Sequence, residues 1–216
     1  MKSLRLQRAG LYTKGFNCLG DCGTDHGKLP IYCVEQGFVK KAYASDNKKG
    51  PFENAVKNIQ DKGLQNSIIP LLADGLVYLN DEIDVVSILG MGGRMIASIL
   101  KRADLSHVKR LILSANSENF LLRDFLEQAE WRIIAEELIK ENGKFYQLLI
   151  LEKGLMNLSN IEKEFGPFII EEKSENFKEM IKLLLKKLIV AKVEAKSDSA
   201  KKKIETRIKE LERVLM

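Results

Sequence analysis

The residues best suited to chemistry stand near the start of the chain, in Asp21-Cys22-Gly23-Thr24-Asp25-His26-Gly27-Lys28-Leu29-Pro30. This stretch follows the short apolar run 16–20 and leads into Ile31-Tyr32-Cys33-Val34. A strand-to-helix turn of that kind is where a parallel α/β sheet holds its ligand. A dinucleotide turn reads G-x-G-x-x-G and seats a pyrophosphate on bare amides. Here Gly20, Gly23 and Gly27 are spaced by three and four, and Asp21 and Asp25 flank the middle one. Carboxylates in those places repel a pyrophosphate, by roughly a few kcal/mol at an effective dielectric near 20. The loop argues against NAD and ATP.

It suits a ligand that arrives with positive charge. S-adenosylmethionine carries a sulfonium, an ammonium and one carboxylate that can sit on a helix N-terminus. Gly23 lets such a ligand approach the backbone, where any side chain would intrude. Two later acids fit the same ligand. Asp46, followed by Asn47, ends the second strand-like run, about where an acid accepts hydrogen bonds from ribose hydroxyls. Asp74, between Ala73 and Gly75, follows the third run and can accept from an exocyclic amine of adenine. Taken singly, each acid reads as a surface or capping residue. Three acids behind three successive strands of a parallel sheet point to a ligand at the strand ends.

The fourth strand run ends in Gly90-Met91-Gly92-Gly93, followed by Arg94. Three glycines in four residues clear side chains from a place where a planar ring could lie on the backbone, and they equally suit a tight strand-to-helix turn. The fifth run ends in Ser114-Ala115-Asn116. Asn116 offers a donor and an acceptor and can pair bidentately with adenine; as a lone residue it also reads as a turn. His26 either contacts substrate or caps the following helix. Cys18, Cys22, His26 and Cys33 lack the paired short spacings of structural zinc, so buried thiols are expected and no metal. Trp131 and residues 120–125 lie in periodic apolar segments and read as core.

The elements that must position these residues alternate. Strand-length apolar runs occur at 17–20, 41–45, 68–72, 84–89, 110–114, 132–137 and 145–152, with helix-like stretches at 30–36, 50–62, 74–79, 93–102 and 120–128 and a short helix marked by Leu4, Leu6 and Leu11. Alternation predicts an α/β fold, a Rossmann-like and mostly parallel sheet of about seven strands. Asn142-Gly143 predicts a hairpin and an antiparallel last strand. This unit spans residues 1–154. Irregular chain is expected from 154 to 167. Then Phe177, Ile181, Leu184, Leu188, Ala191 and Ala195 form an a/d seam, and Ile204, Ile208, Leu211 and Leu215 form another across a turn at 196–199. Residues 155–216 therefore read as an antiparallel coiled-coil hairpin. That segment holds 14 Lys+Arg against 11 Asp+Glu. Its lysines, Lys186 and Lys201 among them, form either a solvated face or an RNA-contacting one.

The composition sets outer limits. Across 216 residues, 45% are hydrophobic and 30% charged, as in a soluble globular protein. No apolar run reaches the roughly 20 residues a bilayer span needs. The opening MKSLRLQRAG has no uninterrupted apolar run and no small-residue cleavage site, so no signal peptide is expected. Three cysteines, odd in number, suit reduced thiols and a cytoplasmic location. A formal charge of +5 permits a nucleic-acid partner without demanding one. The sequence leaves the oligomeric state open, with a monomer slightly favoured.

The blocks D-C-G-T-D-H-G-K-L-P, S-D-N-K-K-G-P-F, A-D-G-L and G-M-G-G, with the E-F-G-P segment at 164–167 ahead of the hairpin, resemble the bacterial tRNA (adenine-22-N1)-methyltransferase family. The resemblance covers essentially the whole chain. The family usually has Ala-Tyr in place of Gly27-Lys28, Gln-Pro-Asn in place of 114–116, and aliphatic residues at 18 and 22. It implies a class I methyltransferase fold that uses S-adenosylmethionine and methylates N1 of one adenine near the D-arm of tRNA. Asp21, Cys22, Gly23, Thr24, Asp25, His26, Asp46, Asn47, Ala73, Asp74, Gly75 and Gly90 would then hold the cofactor. Asn116, Asp25, Gly90, Met91 and Gly92 would serve the methyl transfer, and His26, Gly93, Arg94, Asn116, Lys186 and Lys201 would meet the RNA. Two alternatives remain at this point: a class I methyltransferase acting on a small molecule or protein, and a non-catalytic RNA-binding adaptor.

Overall fold

A computed structural model describes residues 3–215. The strands β1 (Cys18–Cys22), β2 (Lys41–Asp46), β3 (Ile68–Leu72), β4 (Val85–Gly92), β5 (Arg110–Ser117), β6 (Trp131–Glu141) and β7 (Lys144–Lys153) form one sheet in the order β3-β2-β1-β4-β5-β7-β6. The first five pair in parallel. β7 inserts antiparallel between β5 and β6. Asn142 and Gly143 both take positive φ, 50° and 74°, as a two-residue turn between right-twisted strands requires.

Both faces of the sheet are covered, which is why its central strands read as continuous apolar runs. Alternation still sorts the side chains. Val86, Ile88, Leu111 and Leu113 face α4 (Gly93–Arg102) and α5 (Asn119–Gln128), where Ile96, Ile99, Leu122 and Leu126 meet them. Leu19, Ala42, Val85 and Ile112 face the other way, towards α1 (Leu4–Leu11), α2 (Lys28–Glu35) and α3 (Lys49–Asp61), which contribute Ala9, Leu29 and Ile59. Cys18, Cys22 and Cys33 are buried free thiols, and desolvation pushes each up to about 12.

Two expectations require correction. Residues 74–79 form turns rather than a helix. Gly75 takes a left-handed φ of 64°, which breaks the helical path at once. Residues 154–167 are not irregular throughout: α6 (Asn160–Phe165) lies within that stretch, and α7 (Pro167–Glu172) starts at its last residue. Ser159 and Glu162 form a capping box at the start of α6, and Pro167 opens α7 where its missing N–H costs nothing.

The chain then forms α8 (Glu175–Glu194) and α9 (Asp198–Leu215). The seam residues Phe177, Ile181 and Leu211 are buried with Leu138 of β6, Phe165 and Ile169, and Leu184, Leu188 and Leu215 pack against them. The Ser197 hydroxyl accepts from the Ala200 amide at 3.2 Å and starts α9. A buried ion pair ties the tail to the sheet. Arg123 of α5 donates to Glu136 of β6 through Nη2 at 2.6 Å and Nε at 3.0 Å, and its Nη1 reaches the Lys163 carbonyl of α6 at 3.1 Å. Glu136 also accepts from the Phe168 amide of α7 at 3.1 Å.

Candidate functional site

The carboxyl ends of the parallel strands open into a cavity of about 670 Å³. β1 and its turn supply Asp21, Cys22, Gly23, Thr24 and Asp25, β2 supplies Asp46 and Asn47, and the end of β3 supplies Ala73, Asp74 and Gly75. β4 supplies Gly90, Met91 and Gly92, and β5 supplies Asn116. Residues chosen for their type from five separate strand ends thus line one space.

The turn after β1 is conformationally unusual. Gly23, Asp25, His26 and Gly27 have φ of 75°, 37°, 70° and 69°. Left-handed conformations at Asp25 and His26 store strain of order 1–3 kcal/mol each and persist only where neighbours over-determine them. Here the Gly23 and Thr24 amides donate to the Ser45 carbonyl at 2.8 and 2.9 Å, and Asn58 Nδ2 donates to the His26 carbonyl at 2.9 Å. At Gly23 an added Cβ would lie 2.3 Å from Met91 Cε, so the loop passes hard against the β4 end.

The acids differ in setting. Asp21 is 4% exposed and accepts from Ser87 Oγ at 2.5 Å. Burial pushes its carboxyl up to about 6, against the hydroxyl bond that favours the charged form. Asp46 is 9% exposed, and its Oδ1 accepts from the Lys48 amide at 2.9 Å. Asp74 is exposed and pairs with Arg102 at 3.3 Å. Asp25 is exposed, with Lys28 Nζ and His26 Nε2 each at 3.3 Å. On the other side of the cavity Asn116 Nδ2 donates to the Gly90 carbonyl at 2.6 Å. Gly90, at φ 86°, sits where the β4–β5 register shifts, and such irregularities re-aim the ends of strands.

Other sequence candidates lie elsewhere. His26 does not line the cavity; its backbone shapes the loop and its ring meets Asp25. Gly93 is buried, and an added Cβ would stand 2.3 Å from the Glu118 carbonyl oxygen, so its lack of a side chain serves the packing of α4 on the β5–α5 turn. Arg94 pairs with Glu118 at 3.2 Å outside the cavity. Lys186 and Lys201 are exposed on α8 and α9. Several cavity residues were passed over in the sequence, among them Lys48, Arg5 of α1 and Tyr146 of β7. α1 lies at the cavity because Leu4 N donates to Glu141 Oε1 at 2.6 Å and Arg8 pairs with Glu137 at 2.6 Å. β7 starts there because it runs antiparallel, which puts its first residues beside the last of β5.

The residues present fit S-adenosylmethionine. A buried carboxylate, two further acids on the next strand ends and a side-chain-free approach at Gly23 favour a cationic ligand and disfavour a polyphosphate. Among the described residues no cluster of three His, Cys, Asp or Glu is arranged to hold a metal ion.

Comparisons with known proteins agree with this geometry. The family model described as tRNA (adenine(22)-N(1))-methyltransferase matches residues 19–213. The chain is 33% identical over 184 residues to the Bacillus subtilis tRNA (adenine(22)-N(1))-methyltransferase, spanning 81% of this chain and 77% of that one. A Streptococcus pneumoniae protein solved in complex with S-adenosyl-L-methionine superposes with a TM-score of 0.92 at 36% identity, covering 100% of both chains. The Mycoplasma capricolum protein TrmK, solved with S-adenosyl-homocysteine, superposes with a TM-score of 0.88 at 28% identity, over 100% of this chain and 98% of that one.

Proposed function

The chain belongs to the tRNA (adenine(22)-N(1))-methyltransferase family, and from that membership we propose that it methylates N1 of adenine 22 in the D-arm region of tRNA, using S-adenosylmethionine. The observation that carries the reading is the single cavity shared by Asp21, Asp46 and Asp74 on one side and by Gly90 and Asn116 on the other. When bound, S-adenosylmethionine supplies an electrophilic methyl group on sulfur.

Adenine N1 is unprotonated near neutral pH and holds an in-plane lone pair, so no side chain has to remove a proton from it. The protein's task is placement, and positioning alone supplies up to roughly 7–11 kcal/mol in well-aligned reactions. Asp46 would accept from ribose hydroxyls and Asp74 from an adenine amine of the cofactor, and Gly23, without a side chain, would let the ligand approach the backbone. Asn116, fixed by its bond to the Gly90 carbonyl, keeps its Oδ1 and second N–H for the target base. The backbone at Gly90–Gly92 leaves room for the ring. N1 is on the Watson–Crick edge, so the base must enter unpaired or flipped. Positive charge passes to the adenine during transfer, and the carboxylate of Asp25 stabilises it electrostatically.

In this reading residues 1–154 carry the chemistry and residues 155–216 bring the RNA, with Lys186 and Lys201 on the contacting face. The reading places the enzyme in the cytoplasm. Among the described residues no helix is long and apolar enough to cross a membrane.

The test uses methyl-labelled S-adenosylmethionine and an unmodified tRNA transcript, with the site mapped by primer extension. Label transfer with a stop at adenine 22 supports the reading. Transfer elsewhere refutes the target, and cofactor binding without transfer returns the small-molecule or protein substrates. Asn116→Ala should keep cofactor affinity within about twofold and lose about 10- to 100-fold in turnover, the range of a lost positioning contact. Full turnover in that variant removes Asn116 from the mechanism.

A further inference from the structure

Arg5 is a cation that the scheme above does not use. Its Nε and Nη1 are buried without a hydrogen-bond partner among the described residues, and it forms no ion pair there. Buried donors left unsatisfied are costly, charged ones most of all. The guanidinium is nevertheless held in place, 4.5 Å from the centroid of the Tyr146 ring. Such a stacking contact orients the fork without consuming its N–H groups. The Nη1–Nη2 edge lies over Gly90: a Cβ added there would stand 3.7 Å from Nη2 and 3.8 Å from Nη1. α1 cannot easily carry the residue away, because Ser3, Leu4 and Arg8 are all bonded to β6 through Glu141 and Glu137.

The position decides between possible anions. The cofactor side of the cavity, at the ends of β1, β2 and β3, carries four carboxylates, Asp21, Asp25, Asp46 and Asp74, against two lysines, Lys28 and Lys48, the first of them paired with Asp25. Arg5 stands at the opposite side, over Gly90 at the end of β4. The target base itself is a poor partner, since it gains positive charge as the methyl arrives and a guanidinium would oppose that. A phosphate group accompanies every nucleotide of the RNA, and an arginine fork matches its oxygens in bidentate fashion.

We propose that Arg5, braced on Tyr146, is an RNA-phosphate anchor that docks the strand beside the nucleotide whose base enters the cavity. The assignment deepens the tRNA reading and rests on it. Arg5 is a positioning residue: it touches the phosphate and not the reacting atoms.

The experiment compares wild type with Arg5→Ala, Arg5→Lys and Tyr146→Leu, measuring KM for tRNA across a salt series and the affinity for S-adenosylmethionine by calorimetry. Arg5→Ala should raise KM for tRNA about tenfold or more and reduce the slope of log KM against log salt by about 1, the signature of one lost phosphate contact. Cofactor affinity should stay within about twofold, which also reports an intact fold. Arg5→Lys keeps the charge without the fork and should recover most of the salt slope but only part of KM. Tyr146→Leu should move KM in the same direction by a smaller factor. Unchanged KM and slope in Arg5→Ala overturn the proposal. So does a loss of cofactor affinity with KM for tRNA unchanged, which would give Arg5 to the cofactor's carboxylate. Wild type that transfers no methyl to tRNA overturns the tRNA reading as well, whereas active wild type with an indifferent Arg5→Ala overturns the anchor alone.

Discussion

Asp21 shows how a single side chain exchanges stability for binding. Its folded-state value near 6 lies above the unbound carboxylate value of 3.8 because burial penalises the charge. The native state therefore binds more protons than the unfolded state between those two values. Stability falls as pH rises through that window, by up to about 3 kcal/mol, and the penalty persists above it. A cationic ligand reverses the preference, since it binds the ionised form. Calorimetry should find S-adenosylmethionine affinity near constant above pH 7 and falling towards tenfold per pH unit below about 6. Asp21→Asn should bind more weakly, lose that pH dependence and melt at a higher temperature than wild type at pH 7. A variant as tight as wild type at pH 7 would remove Asp21 from the cofactor site. Acids of this kind were legible in the sequence because their type conflicts with a phosphate loop and their spacing follows the strands. Arg5 and Tyr146 were not. An arginine on a short amphipathic helix and a tyrosine in an apolar strand each read as ordinary, and only the fold brings them together. Gly93 was legible as a glycine but not in its role, because the carbonyl of Glu118 that excludes a side chain comes from the distant β5–α5 turn.

At the scale of elements, periodicity located all seven strands, and Asn142-Gly143 identified the hairpin that turns β7 antiparallel. It did not locate α6 and α7. Each is only six residues long, too short to display a helical stripe, and the signals present were local ones, Ser159 with Glu162 and then Pro167. Those two helices matter because they enclose the Arg123–Glu136 pair, both side chains of which are 0% exposed. Burial raises the Glu136 carboxyl above its ordinary value while Arg123 opposes the rise. Gly166 has no side chain because a Cβ there would come within 2.6 Å of that carboxylate. Glu136→Gln leaves a buried guanidinium uncompensated and should cost about 3–5 kcal/mol in urea unfolding. The double variant Arg123→Met/Glu136→Leu removes both charges and should recover much of that loss. Near-identical midpoints for wild type and Glu136→Gln would show that the pair does not hold the tail to the sheet.

For the whole molecule, the acidic side of the cavity selects a cationic cofactor, yet the partner proposed for the same cavity is a polyanion. The two demands are compatible only if the charges are segregated. The +5 formal charge is a sum over 35 basic and 30 acidic residues, so placement and not excess must attract the RNA. The hairpin supplies a place: Lys186 and Lys187 on α8 and Lys201 and Lys202 on α9 are exposed and form no ion pair among the described residues, whereas Lys192 is bound to Glu205 at 2.7 Å. Sequence alone could not divide these lysines into paired and unpaired, because the pairing is set by how the two helices face each other. Changing Lys186, Lys187, Lys201 and Lys202 to Glu should raise KM for tRNA at least about tenfold and lower the salt slope by more than the single step expected of Arg5. Cofactor affinity should not change, and the melting temperature should move by no more than about 2 °C, since exposed charges contribute little to folding. Addition of Arg5→Ala should raise KM further by its own factor, because sites without shared partners combine independently. If the lysine changes leave KM and the salt slope untouched, the hairpin is a structural appendage, and the RNA must be held by the sheet domain around the cavity mouth.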